Sequence, residues 1–138
     1  MDDEPMTSTN ARRTNGKPGS TAQSVPAVSE SKILAQVLWF LGRRPDVRCW
    51  RANCGVARAL SSDHIIRYGI PGQADISGIL SDGRRLEIET KTARRSQSKQ
   101  QVAFQAMIEK FNGVYIVARS ADDALAQLRA KGHCHDSP

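Results

Sequence analysis

Two carboxylates and a lysine, Asp75, Glu89 and Lys91, flank a short polar turn and have the side-chain types that metal-dependent cleavage of a phosphodiester requires. Segments 74–80 and 84–92 are predicted to be two strands around residues 81–83. A two-residue loop would mix polar and apolar side chains on both faces of this hairpin. A three-residue loop with Gly83 in the left-handed conformation separates them, so we predict that loop.

The three-residue loop also fixes which residues lie opposite each other. The predicted pairs are Asp75 with Glu89, Gln73 with Lys91, Ser77 with Glu87 and Ile76 with Ile88. One face of the hairpin then carries the charged residues Asp75, Glu87, Glu89 and Lys91. The other face carries the apolar residues Ala74, Ile76, Leu86 and Ile88.

The charged face predicts a cation site. Opposed side chains on antiparallel strands lie about 5 Å apart at Cβ, so Asp75 and Glu89 can share one hard cation such as Mg²⁺ or Mn²⁺. Lys91 follows about 6.6 Å along the same face, where its ammonium group can hold an attacking water and offset phosphate charge. Glu87 has no lysine two positions later, so we expect it beside the site or in solvent, with a part in a second metal site less favoured.

A longer pattern carries a family resemblance. It comprises Gly72-x-x-Asp75, Gly78-Ile79-Leu80, Gly83-Arg84, Ile88-Glu89-x-Lys91, Ser98-x-x-Gln101-x-x-Phe104, Gly113 and Ile116 to Ser120. This pattern, spread over about Glu30 to Leu128, resembles the virus-type replication-repair nuclease (VRR-NUC) domain of the PD-(D/E)XK superfamily in its short, stand-alone phage or bacterial form. Ala74 stands where the superfamily has its proline, which shapes the strand rather than the chemistry.

The resemblance implies an α/β fold with a restriction-endonuclease-like core, in which α-β-β-β-α-β elements form a mixed sheet flanked by helices. It implies that Asp75 and Glu89 bind metal together with the backbone carbonyl of Thr90. Lys91 would be the catalytic lysine and Gln101 a supporting glutamine. In many PD-(D/E)XK proteins an acid on the first helix also reaches the metal, which makes Glu30 a possible ligand; a role at the helix N-terminal dipole is the alternative.

The remaining elements follow from caps and periodicity. Ser29 is predicted to cap a first helix that ends at Gly42. Ser98 is predicted to form a capping box with Gln101 at the start of a helix that continues through Asn112. Ser120 is predicted to cap a last helix that ends near Gly132. Strands are expected at 47–52, 65–68 and 114–119, which gives the order α-β-(β)-β-β-α-β-α. The apolar stripes are Ile33, Leu34, Val37, Leu38 and Leu41; Phe104, Met107, Ile108 and Phe111; and Ala124, Leu125 and Leu128.

The charge balance favours a polyanionic partner. The chain has a formal charge of +6, and from Ser31 onward it has 17 Lys and Arg residues against 10 Asp and Glu. Arginine can bond two phosphate oxygens with its planar fork, so a basic set is predicted to contact DNA, although any single member can equally belong to a solvated face. That set is Arg48, Arg51, Arg58, Arg67, Arg94, Arg95 and Lys99.

One domain of ordinary size, residues 29–132, is expected between a disordered N-terminal tail, residues 1–28, and a flexible C-terminal tail, residues 133–138. His133-Cys134-His135 favours a frayed end over a zinc site, since adjacent residues rarely converge on one ion. No apolar run could span a bilayer, the N-terminus has no signal-peptide pattern, and three cysteines fit a reducing compartment. We therefore expect a cytoplasmic protein without a membrane partner, in a bacterial or phage-infected cell.

These features together predict a metal-dependent endodeoxyribonuclease that selects branched DNA, such as a Holliday junction, in replication, recombination or repair. A single site cannot cut two strands at once, so a homodimer with two-fold symmetry is expected, in contact through the helix that starts at Glu30 or the one that starts at Ala121. The alternatives are a catalytically silent or structure-indifferent DNA-binding module, and a restriction-like or RNA-cleaving nuclease.

Overall fold

The computed structural model describes residues 27–134 of the 138-residue chain, so the predicted N-terminal tail lies almost wholly outside the described residues. This part of the chain contains three helices and six strands. They are α1 (Glu30–Leu41), β1 (Val47–Arg51), β2 (Gly55–Arg58), β3 (Ile65–Tyr68), β4 (Ile76–Leu80), β5 (Arg85–Thr90), α2 (Lys99–Lys110), β6 (Val114–Ala118) and α3 (Ala121–Ala130). No helix in this part is long and apolar enough to cross a bilayer.

Four strands form a mixed sheet in the order β1-β4-β5-β6. β4 pairs antiparallel with both β1 and β5, whereas β5 and β6 are parallel and joined through α2. The predicted α/β class with a mixed sheet and flanking helices is confirmed at this level. The short strand expected at 65–68 is β3, but it pairs with an additional strand, β2, in a separate antiparallel hairpin outside the main sheet.

The predicted register of the β4–β5 hairpin is confirmed. Ile76 lies opposite Ile88 and Ser77 lies opposite Glu87. The loop has three residues: the Leu80 amide donates to the Arg84 carbonyl at 3.0 Å, and Gly83 has a φ of 85°. Glycine adopts this left-handed conformation without steric cost, so Gly83 allowed the three-residue loop to be predicted from the sequence.

All three helices begin where their caps predict. Ser29, Ser98 and Ser120 each accept a hydrogen bond through the hydroxyl from the backbone N–H three residues later. Ser98 and Gln101 form the complete capping box, which satisfies two donors that the first helical turn leaves unpaired. The entry points of α1, α2 and α3 are therefore local properties of the chain.

The sheet divides the interior into two apolar layers. The larger cluster joins α1 and α3 to one face of the sheet and includes Val37, Ile76, Ile88, Ile116 and Leu128. The smaller cluster joins α2 to the other face and contains Ala74, Phe104, Ile108 and Tyr115. Because strand side chains alternate, the acidic residues of β5 point to the α2 side. The predicted charged face is thus covered in part by α2.

Three predicted burial positions are wrong. Met107 is 38% exposed and Phe111 is 76% exposed, because only Phe104 and Ile108 of the α2 stripe reach the sheet. Ala74 was placed with Ile76 on the larger core face, but it packs against the α2 layer. Regular β4 begins only at Ile76, so strand alternation does not extend back to Ala74.

The C-terminal boundary predicted after Gly132 also needs correction. His133 and Cys134 were assigned to a frayed tail, but both side chains are buried. The His133 ring lies 2.5 Å from the Arg84 guanidinium and 3.6 Å from Asp82, and Cys134 joins the larger apolar cluster. These two residues therefore belong to the folded domain, and residues 135–138 lie outside the described part.

Gly72 is expected to be far less tolerant of a side chain than Gly83. Both have positive φ, 78° and 85°, but a Cβ at Gly72 would lie 2.3 Å from the Gln100 carbonyl oxygen, whereas a Cβ at Gly83 meets nothing within 4 Å. Gly83→Ala should lower the free energy of unfolding by about 1–2 kcal/mol, the cost of the left-handed conformation. Gly72→Ala should lower it by more, since it adds the clash with the start of α2. Urea unfolding of both variants measures this, and equal losses would contradict the close packing of Gly72 on α2.

Candidate functional site

Asp75 is fixed at the point where β4 and β5 separate. The strand ladder ends at the Ile76–Ile88 pair; Asp75 directly precedes Ile76, and Glu89 directly follows Ile88. The Asp75 Oδ2 atom accepts hydrogen bonds from the Thr90 backbone N–H at 2.8 Å and from the Thr90 hydroxyl at 2.6 Å. These two bonds hold the Asp75 carboxylate against the end of β5.

Glu89 is the centre of the predicted constellation. Its Oε1 atom accepts from the Gln101 side-chain amide at 2.5 Å and lies 2.6 Å from the Lys91 Nζ atom. Its Oε2 atom is buried and has no hydrogen-bond partner within the described residues. The structure thus brings Glu89, Lys91 and Gln101 into direct contact and leaves one carboxylate oxygen without a partner.

The electrostatics of Glu89 follow from this environment. Burial raises the pKa of the Glu89 carboxyl above its ordinary range, and the nearby Asp75 carboxylate acts in the same direction. The hydrogen bonds and charge from Lys91 and Gln101 lower the pKa but do not outweigh burial. Asp75 is therefore close enough to Glu89 to act on the pKa of the Glu89 carboxyl.

The Gln101 side chain caps α2 and also contacts Glu89. Its Oε1 atom accepts from the Ser98 backbone N–H at 2.8 Å, which completes the capping box, while its Nε2 atom donates to Glu89. The amide has separate donor and acceptor ends, so the structural role and the contact with the site do not compete. Gly72 allows this arrangement because the loop before β4 lies against the backbone of Gln100 and Gln101.

Glu30 lies beside Asp75. The two residues line one cavity of about 170 Å³ together with Ser31, Leu34, Arg51 and Thr90. Glu30 Oε1 is buried without a hydrogen-bond partner among the described residues, and Oε2 lies 3.6 Å from the Arg95 guanidinium. The first helix therefore brings its acid to the edge of the predicted site.

The donor set fits a hard cation bound by few protein ligands. Within residues 27–134, no three His, Cys, Asp or Glu side chains are grouped as a metal site. Two carboxylates at one place, Asp75 and Glu89, are a sparse oxygen set of the kind that Mg²⁺ uses, since it keeps several waters. A buried carboxylate oxygen without a partner is costly unless a cation or donor satisfies it, and Glu89 Oε2 is such an atom. The role of the Thr90 carbonyl as a further ligand stays a prediction.

Sequence reasoning missed a polar network on the same face. Glu87 is fully buried, and its carboxylate accepts from Ser77 Oγ at 3.0 Å and from Arg85 Nε at 2.7 Å. Gln73 Nε2 lies 3.2 Å from the same Ser77 hydroxyl. Burial raises the pKa of Glu87, and the bonds from Arg85 and Ser77 oppose it. The expectation that Glu87 could face solvent was wrong; the predicted Ser77–Glu87 pairing was the signal that it has a partner.

Two of the predicted DNA-contacting arginines lie near the acidic residues. Arg51 lines the cavity with Asp75, and Arg95 faces Glu30. Arg94 lies in the same loop, which Arg119 holds by donating to the carbonyls of Thr92 and Arg95. The loop after β5 is therefore anchored, and its Arg95 lies at the edge of the site beside Glu30.

The other basic residues have different surroundings. Arg48 donates to the carbonyls of Arg44 and Val47, both at 2.8 Å, and so lies along the main chain before β1. Arg58 and Arg67 are on the separate hairpin, where Arg58 lies 3.8 Å from Asp63 in an exposed pair. Lys99 is the first residue of α2. The predicted basic set is therefore spread over several places: Arg51 and Arg95 lie near the acidic residues, and Arg58 and Arg67 lie on the separate hairpin.

The pH dependence of stability should report the burial of Glu89. Because the pKa of Glu89 is raised in the folded protein, this group favours folding at low pH, and its contribution is lost as pH rises through the raised pKa. In EDTA, Glu89→Gln should therefore gain stability relative to wild type as pH rises from about 5 to about 8. Urea unfolding of both proteins measures the difference in their free energies of unfolding. Glu87 is present in both proteins, so its own pH dependence cancels in this difference. A difference that is constant with pH would contradict the burial of a charged Glu89.

Comparison with other proteins adds no assignment: no protein-family model matches the sequence, and no curated protein matches it.

Proposed function

We propose that this protein is a metal-dependent endonuclease that hydrolyses phosphodiester bonds of DNA. The observation that carries the proposal is the state of Glu89: one oxygen contacts both Lys91 and Gln101, and the other is buried without a partner. A carboxylate held in this way beside a second carboxylate suits a bound cation better than a purely structural role.

The order of elements supports a PD-(D/E)XK type of core. Without the β2–β3 hairpin, the main sheet and its helices run α1-β1-β4-β5-α2-β6 along the chain, which is the expected α-β-β-β-α-β order. Asp75 lies directly before β4, Glu89 lies on β5, and Gln101 comes from the first turn of α2. The resemblance to VRR-NUC domains therefore agrees with the topology as well as with the spacing.

Each residue has a definite task in this proposal. Asp75 and Glu89 hold Mg²⁺ or Mn²⁺, which when bound lowers the pKa of water and polarises the phosphate. Thr90 and Gln101 keep the two carboxylates in place through the hydrogen bonds described above. Lys91 orients the attacking water and offsets the negative charge that develops on the phosphate. The Lys91 ammonium lies against Glu89 and the side chain is only 12% exposed, so its position is restricted.

Asp75, Glu89 and Lys91 are expected to act as one unit in cleavage. Asp75→Asn, Glu89→Gln and Lys91→Ala should each reduce Mg²⁺-dependent cleavage of plasmid DNA by orders of magnitude, and a double variant should be little worse than a single one. Cleavage rates with and without Mg²⁺, beside circular dichroism to verify folding, measure this.

Glu109→Gln, at an exposed carboxylate on α2, is the matched control and should cut like wild type. A folded Lys91→Ala protein with activity near wild type would overturn the assignment. If wild-type protein binds DNA but cuts nothing in either metal, the chain is a silent DNA-binding module. Cleavage of RNA in preference to DNA would favour the RNA-cleaving alternative.

We further propose that two copies act together on branched DNA. An apolar groove of about 490 Å³ runs between α1 and the start of α3, lined by residues that include Ala35, Trp39, Phe40 and Ala121. The Trp39 ring is 61% exposed and carries the Arg43 guanidinium 4.0 Å above it. A two-fold contact through this groove would give two sites related by symmetry, as the near two-fold symmetry of a four-way junction requires.

The dimer should depend on Trp39. Light scattering of wild-type protein should give about twice the mass of the 15.1 kDa chain, and Trp39→Glu should halve that mass because it places a charge in the apolar contact. Phe111→Glu is the control, since Phe111 is also an exposed aromatic residue but lies at the end of α2, on the opposite side of the sheet. Trp39→Glu should also lose the preference for four-way junctions over linear duplex. A monomeric wild-type protein that cuts both substrates equally would contradict the dimer.

A further inference from the structure

The β2–β3 hairpin places an aromatic side chain at the edge of the candidate site. Tyr68, the last residue of β3, is 46% exposed. It lines a cavity of about 210 Å³ with Asp75, and the polar lining of that cavity also includes Arg51, Asn53 and Gln73. No sequence prediction gave Tyr68 a role in the site.

The ring of Tyr68 is held in a defined position. Tyr68 lies opposite Gly55 in the hairpin, and a Cβ at Gly55 would be 2.9 Å from the Tyr68 hydroxyl and 3.2 Å from its Cζ atom. The ring therefore lies against the Gly55 backbone, in space that any larger residue at position 55 would occupy. An aromatic face that is fixed before binding loses little conformational entropy when a ligand stacks on it.

The root of the hairpin is tied to the acidic face by Gln73. Its Oε1 atom accepts from the Cys54 thiol at 3.2 Å and from the Ile70 backbone N–H at 3.3 Å. Its Nε2 atom donates to Ser77, which in turn bonds to Glu87. Tyr68 is therefore held in a fixed relation to the strand that carries Asp75.

A fixed aromatic ring beside a basic and polar cleft has the chemistry of a base-stacking site. Arg51 can contact a phosphate while the Tyr68 ring offers its face to a base. Bases inside a duplex are already stacked and paired, so the Tyr68 ring can stack only on the base of a nucleotide that is unpaired or displaced. The polar lining of the cleft suits a sugar and phosphate better than the apolar surface of a protein partner.

We propose that Tyr68 is the stacking platform for the unpaired nucleotide beside the scissile phosphate, and that it gives the site a preference for DNA that carries such a nucleotide, as a flap does. This inference rests on the proposed cleavage of DNA at the Asp75 and Glu89 site. It assigns this selectivity, which is separate from the proposed preference of the dimer for four-way junctions, to the β2–β3 hairpin outside the main sheet.

The test is binding to flap DNA that carries 2-aminopurine as its first unpaired nucleotide, in EDTA so that no strand is cut. Wild type and Tyr68→Phe should both quench the fluorescence, because both offer an aromatic face. Tyr68→Leu should lose the quench and bind the flap about 5- to 150-fold more weakly, the range for losing one base–aromatic stack. Its affinity for linear duplex should stay as in wild type. Phe111→Leu, at an exposed aromatic residue outside this cleft, is the matched control and should change neither measurement.

Tyr68→Trp should quench at least as strongly as wild type, which gives a reading that does not depend on a loss of stability. Unchanged quenching and affinity in a folded Tyr68→Leu protein would overturn the inference, and so would an equal loss of affinity for flap and duplex. The proposed function is tested separately, by cleavage of the same flap by wild type in Mg²⁺. No cleavage together with Tyr68-dependent quenching would refute the nuclease but leave Tyr68 as a binding residue, whereas cleavage with no dependence on Tyr68 would refute only the platform.

Discussion

The burial of the Glu89 carboxylate is the constraint on which the site depends. Removing a charged group from water is unfavourable, and the contacts from Lys91 and Gln101 satisfy only one of its two oxygens. The raised pKa of Glu89 shows that burial outweighs these contacts. A group of this kind is destabilising for the fold by itself, and such groups concentrate at sites where a ligand or a reaction uses them.

The rest of the structure holds the partners of Glu89 in place. The β4–β5 register brings Asp75 next to it, and Thr90 anchors the Asp75 carboxylate from the same strand that carries Glu89. The parallel pairing of β5 with β6 requires a crossover helix, and this helix is α2, whose first turn supplies Gln101. The same strand topology therefore determines both the arrangement of the sheet and the position of Gln101 at the site.

A second polar network extends the same face toward the β2–β3 hairpin. Arg85, Glu87, Ser77 and Gln73 form a continuous chain of contacts that reaches Cys54 at the root of the hairpin. The charge of Glu87 is buried but paired with Arg85, so it has the partner that Glu89 lacks on one of its oxygens. Both oxygens of Glu87 therefore have partners, whereas Glu89 Oε2 has none among the described residues.

The sequence by itself determined the local features: the three-residue loop at Gly83, the strand register and the three serine caps. Each depends on residues close together in the chain, so turn and cap chemistry specify it without knowledge of the fold. From that register the shared face of Glu89 and Lys91 could be predicted, and the contact of Gln101 with Glu89 agrees with the resemblance. Only the tertiary structure decided that Phe111 is exposed, that Glu87 and His133 are buried, and that Glu30 and Tyr68 lie beside Asp75. Those outcomes depend on how distant elements pack, and helical or strand periodicity contains no information about which neighbour covers a given face.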